Sequence, residues 1–135
     1  LPRGIDVGKN SHRLSRENDE KYYWIEHAER NAIYNAARRG TQLKSCKLYV
    51  PWIPCTDCAR GIVQTGISEV IIHQNGQDFY DKNTNGKWVE SYKKTTTMFQ
   101  EAGVKMRYLT CDVVAPEIFM NAELFDAIVF LNSKK

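Results

Sequence analysis

The spacing of apolar and polar positions divides the chain into helix-length and strand-length pieces. Residues 1–16 are polar and carry no period, so they are expected to form a loop. From about Asn18 to Arg39 the chain is helix-prone. Ile25, Ala28, Ala32, Ile33 and Ala36 recur at three- and four-residue spacing, and Gly40 stands where a C-terminal cap belongs. A break before His27 would make that residue the start of a second helix. "KLYVPWI" reads as a strand that Pro51 must end or bulge, because proline cannot donate to a ladder. Cys55 to Gly66 reads as helix, and "EVIIH" (69–73) as a short buried strand.

Beyond Gln74 the pattern predicts a polar loop with a turn at Asn85-Gly86. Trp88, Tyr92, Phe99 and Ala102 then mark an amphipathic helix ending at Gly103, and "VKMRYLT" alternates as a strand. "KWVESYKKTTTMF" within it reads as a packed helix with a charged outer face. The tail from Pro116 fits either a helix or a hairpin. Helices and strands taking turns in this way signal parallel strands joined by crossover helices, so the expected fold class is α/β.

Composition then narrows the class. At 135 residues the chain has the length of one domain, 1–135, and one that needs no disulfide scaffold. Hydrophobic content of 42% with 26% charged residues is that of a soluble globular protein. No apolar run reaches the roughly 18 residues of a membrane span and no signal-peptide pattern opens the chain, so a cytoplasmic setting without a membrane partner is expected. The net charge is +3, and residues 1–47 hold ten Lys/Arg against six Asp/Glu. That local excess fits a basic lip for an anionic ligand or an ordinary solvated face. With no basic tract, long nucleic acids are not expected partners.

Four cysteines in such a chain point to metal or a quiet core before disulfides. Cys55 and Cys58, three apart at a helix start marked by Pro54, can point both sulfurs one way. The positive end of the helix favours the thiolate that zinc requires. His27, at the start of the other helix, can supply a third ligand. Three protein ligands leave a fourth position to water, which separates catalytic from structural zinc. A closed site completed by Cys46 or Cys111 is the disfavoured alternative. Cys46 lies across a strand, at up to roughly 30 Å if nothing bends. Glu29, two residues after His27, can project into the same cavity as a proton carrier. His73, His12 and the three tryptophans have bland readings as core or surface residues, although Trp52 is near enough to the cysteines to line a pocket.

"HAE" and "PCTDC" match the H-x-E…P-C-x-x-C signature of zinc nucleobase deaminases. "LPRG", "RENDEKYYWIEHAERNAI" and "LYVPWIPCTDCARGIVQTGI" resemble the cytidine/deoxycytidylate (dCMP) deaminase family over most of residues 1–73 and more loosely over 87–110. The resemblance implies a three-layer α/β/α sandwich around a mixed, largely parallel sheet. It also implies an N-terminally incomplete domain, because a helix and two antiparallel strands usually precede the "PRG" stretch. Pro51 departs from a threonine common at that position. The implied cofactor is Zn2+, held by His27, Cys55 and Cys58. The implied reaction is hydrolysis at C4 of cytosine, with Glu29 protonating N3 and then the departing ammonia. The Ala28 amide would orient the pyrimidine edge, Asn31 would contact the sugar, and Arg3 is the candidate near the phosphate.

The implied substrate is a small nucleotide, dCMP, converted to dUMP by a protein that usually forms homo-oligomers. Two alternatives stay open. One is a related deaminase acting on cytidine, cytosine, guanine or a base in nucleic acid. The other is a non-catalytic zinc-binding module.

Overall fold

A computed structural model describes residues 2–5, 11–112, 117–120 and 123–126. By contacts the chain divides into two compact units, Leu1–Leu43 and Lys44–Lys135.

The first unit has short 3-10 turns at Ser11–Leu14 and Glu17–Asp19, one turn of helix α1 (Lys21–Trp24) and helix α2 (Ala28–Arg39). Trp24 is fixed at both its edge and its face. Its Nε1 donates to Glu20 Oε1 at 2.7 Å, and the Arg13 guanidinium lies 4.2 Å from its ring centroid. The α2 stripe is narrower than its spacing suggested: Ile33 and Ala36 are buried, whereas Ala28 and Ala32 are exposed. Gly40 closes the helix in the left-handed region at φ 69°, which glycine enters without a Cβ clash, and Thr41 N–H reaches back to Ala36 C=O.

The second unit is built around strands β1 (Lys47–Val50), β2 (Glu69–His73) and β3 (Lys105–Leu109), all parallel in the order β1-β2-β3. Lys47 is in register with Glu69, and Glu69 with Lys105. Helix α3 (Thr56–Gln64) connects β1 to β2. Helices α4 (Gln74–Thr84) and α5 (Val89–Ala102) connect β2 to β3. This is the α/β class expected from the pattern.

Val70, Ile71 and Ile72 are all buried, so both faces of the central strand are covered, as its unbroken apolar run requires. Around it α3 contributes Ala59 and Ile62, and α5 contributes Thr95 and Phe99. The two helices pack on each other. At the sheet's lower end Glu69 accepts from Lys47 Nζ at 3.1 Å and Arg107 Nε at 2.6 Å. The Arg107 bond, then that of Lys47, holds the Glu69 carboxyl below its ordinary value.

The structure also corrects the expectation for the segment after β2. Residues 74–84 form α4 rather than a loop. No linker separates this helix from the sheet, because His73 is both the last residue of β2 and the N-cap of α4. Its Nδ1 accepts from Gly76 N–H at 3.2 Å. An imidazole cap and a polar helix surface both resemble a loop in sequence. The turn signal at Asn85-Gly86 is real, with φ of 47° and 75°.

The tail, open between helix and hairpin, pairs as antiparallel strands β4 (Glu117–Met120) and β5 (Glu123–Asp126). Leu1 and Pro116 lie outside the described residues.

Candidate metal centre

In the first unit the helical stretch breaks after Trp24, as the sequence allowed. Ile25 is extended at φ −102°, ψ 125°, and His27 is the N-cap of α2 at φ −68°, ψ 149°. The break is held locally. Glu26 Oε1 accepts from His27 N–H at 3.1 Å and also binds the Arg30 guanidinium one turn on. The His27 side chain makes no capping bond, although serine, threonine or aspartate at such a position usually does. Glu29 is half-buried in the first turn of α2. Asn31, also half-buried, donates its N–H to His27 C=O at 2.9 Å.

In the second unit β1 stops at Val50, immediately before Pro51. Ile53 and Pro54 are buried, and Cys55 is the N-cap of α3 at φ −66°, ψ 165°. Its side chain does not cap either. Cys58, completely buried, lies in the first helical turn, so the pair occupies the start of one helix.

The potential ligand atoms of His27, Cys55 and Cys58 all lie within 4.8 Å of one another. One imidazole and two thiols form a zinc donor set. Tetrahedral zinc with Zn–S near 2.3 Å and Zn–N near 2.0 Å keeps such atoms roughly 3.5–3.8 Å apart. One imidazole nitrogen and two thiol sulfurs are donors that zinc takes, so the residues fit the metal by the chemistry of the set. Cys46 and Cys111 do not join the group, which leaves the closed four-ligand alternative without support among the described residues.

The other sequence candidates divide. Ala28 is exposed at the first position of α2, and Arg3 is exposed in the Pro2–Ile5 turn. His12 is exposed. His73 is structural: besides capping α4, its Nε2 lies 2.9 Å from Cys111 C=O and therefore donates to it. Trp52 stacks on Tyr80 of α4 with centroids 4.4 Å apart.

Sequence reasoning missed Gln77, Ser91 and Thr95, whose side chains bond the backbone around Cys55. The one available signal for Gln77 was the four-residue spacing of Gln74 to Asp78 and Gln77 to Asp81. Both pairs bond at 2.8 Å along α4. A cavity of about 410 Å3 adjoins this region, walled by Ile53, Gln77, Asp81, Tyr92, Lys93 and Tyr108. Burial pushes the phenols of Tyr92 and Tyr108 upward in pKa.

A model of the cytidine and deoxycytidylate deaminase zinc-binding region matches residues 5–74, a span that holds all three ligand candidates and Glu29 but not Arg3. A protein of Aliivibrio fischeri named "Uncharacterized deaminase in luxG 3'region" is 37% identical over 98 residues, which are 73% of this chain and 61% of that protein. The deoxycytidylate deaminase of Homo sapiens is 35% identical over 109 residues, 79% of this chain and 55% of the human protein. That of Enterobacteria phage T2 is 43% identical over 60 residues, 44% of this chain and 30% of the phage protein. The chain thus spans 55–61% of the length of the first two relatives.

Proposed function

Because the chain belongs to the cytidine and deoxycytidylate deaminase family, we propose that it carries out zinc-dependent hydrolytic deamination of a cytosine nucleotide, converting dCMP to dUMP and ammonia. The observation that carries this reading is the gathering of one imidazole and two thiols, with a carboxylate two residues beyond the imidazole. The relatives named deoxycytidylate deaminase support dCMP over cytidine, cytosine or guanine.

In this reading His27, Cys55 and Cys58 hold zinc. Bound there, the metal supplies a Lewis acid that makes water nucleophilic near neutral pH. Glu29 carries the protons. Its carboxylate would take one proton from the attacking water and deliver it to N3 of the ring. It would then take the proton of the new C4 hydroxyl and pass it to the amine as the C4–N bond breaks and ammonia leaves. The first-turn amides of an α-helix have no acceptor within the helix. The Ala28 N–H is therefore a donor for the pyrimidine edge. Asn31 contacts the sugar, and Arg3 meets the phosphate. A non-catalytic zinc module would need neither an open coordination position nor a carboxylate beside it.

The same proposal includes a homo-oligomer working in the cytoplasm, a compartment that suits cysteines kept as thiols. None of the four, all among the described residues, forms a disulfide. No described helix is long and apolar enough to cross a membrane.

Ammonia release from the zinc-loaded chain, offered dCMP, dCTP, deoxycytidine, cytosine and guanine side by side, tests the substrate. Turnover confined to dCMP is expected. Turnover of another compound in its place would reassign the substrate. Silence on all five, with zinc bound and the fold intact, would overturn the reading of this chain as a deaminase of free cytosine nucleotides.

A further inference from the structure

The segment that delivers Cys55 is gripped at each neighbouring position by α4 and α5, helices that supply none of the three ligands. The grip begins at Pro51, whose carbonyl oxygen would lie 2.3 Å from a Cβ built on Gly76, so only glycine lets α4 approach this closely. Trp52 stacks on Tyr80. Ile53 N–H donates to Gln77 Oε1 at 2.7 Å in a buried bond. Gln77 Nε2 donates to Asp81 Oδ1, and since a carboxylate only accepts, this second bond sets which way the amide faces.

Two further bonds come from α5. Thr95 Oγ1, on a residue with no exposure, donates to Pro54 C=O at 3.0 Å. Thr56 N–H donates to Ser91 Oγ at 3.3 Å. Ser91 and Thr95 are four residues apart and so share one helical face.

These last two bonds act on the two peptide planes that meet at the Cys55 Cα. Thr95 holds the plane that contains Pro54 C=O and Cys55 N, and Ser91 holds the plane that contains Cys55 C=O and Thr56 N. A peptide unit is planar, so fixing both planes fixes φ and ψ of Cys55 and with them the direction of its Cα–Cβ bond. Buried Thr95 and half-buried Ser91 could satisfy their hydroxyls in many ways. Here they are spent on the backbone around one cysteine.

We propose that Thr95 and Ser91, backed by Gln77, are positioning residues that pre-aim the Cys55 thiolate at the metal. The proposal rests on the reading of Cys55 as a zinc ligand. Groups that orient ligands from outside the coordination shell typically change metal affinity 10- to 100-fold when removed.

The test is zinc affinity, measured by competition with a chromophoric chelator, together with the absorption of the Co2+-substituted chain. Thr95→Val keeps the shape and removes the donor. It is expected to weaken zinc by roughly 10- to 100-fold and to shift the thiolate-to-cobalt and d–d bands, with Thr95→Ser restoring both. Ser91→Ala, at the longer bond, gives a smaller change of the same kind and serves if Thr95→Val does not fold. Thr97→Val, whose hydroxyl only donates to Lys93 C=O on its own helix, is the control that changes neither.

Zinc affinity and cobalt bands unchanged in a folded Thr95→Val, or in Ser91→Ala if that protein does not fold, would overturn the proposal. A loss that Thr95→Ser fails to rescue would overturn it too, since the role would then not belong to the hydroxyl. No zinc binding by the unmodified chain in the same titration would instead overturn the metal reading, and the proposal with it.

Discussion

The seats of the imidazole and of the first thiol are built in opposite ways. His27 is set by its neighbours: Glu26 beside it holds its N–H, and Arg30 one turn on steadies Glu26. Cys55 is set from afar, by side chains that meet residues 53, 54 and 56 across 24, 41 and 35 positions of sequence. Both residues are helix N-caps that do not cap, so local structure presents each side chain in the same way. They differ in what keeps them there. A seat made by adjacent residues depends on its own helix, whereas a seat made by distant helices exists only when the second unit is folded and packed.

The largest expected effect separates the two seats most plainly. Phe99→Ala removes a side chain of α5 that is 1% exposed. It should cost about 3–5 kcal/mol of stability. Urea denaturation measures that cost, and thiol-reagent kinetics should show Cys55 becoming reactive in parallel. A Cys55 no more reactive than in the unmodified protein while α5 loosens would contradict the dependence of its seat on α5.

Gly76→Ala presses a methyl group against the Pro51 carbonyl and should cost about 1–3 kcal/mol, read from the shift in the denaturation midpoint. Glu26→Gln perturbs only the local seat. As one half-buried pair four residues apart on a helix, it should cost about 0.5 kcal/mol and leave Cys55 reactivity unchanged.

The smallest effect is a pH signature away from both seats. The folded Glu69 carboxyl sits below its ordinary 4.5 because Arg107 and Lys47 bind its charged form. A depressed carboxyl contributes stability above its unfolded value and loses it as the pH falls through its folded value. Glu69→Gln should therefore lower the melting temperature at pH 7 by a modest amount. The gap should be full above about pH 4.5 and close progressively below it.

How much of this could be read in the sequence follows the same division. The break before His27, the helix from Cys55, the buried strand 69–73 and the glycine stop at 103 are all local signals, and all are present. The potential zinc-ligand trio was legible too, because residue type and spacing carry the metal chemistry. The grip on Cys55 was not legible. Gln77, Ser91 and Thr95 are ordinary polar residues until the fold sets them against a backbone dozens of residues away. Gln77 was hidden twice over, since α4 starts directly on the last strand residue with an imidazole cap.

If the metal reading is right, His27, Cys55 and Cys58 together hold one zinc ion. Elemental analysis of the purified chain beside Cys55→Ala and Cys58→Ala tests it most directly. About one zinc per chain is expected in the unmodified protein, with most of it lost in each variant whose fold is retained. Equal metal content in all three proteins, or none in the unmodified chain after loading with zinc, would contradict it.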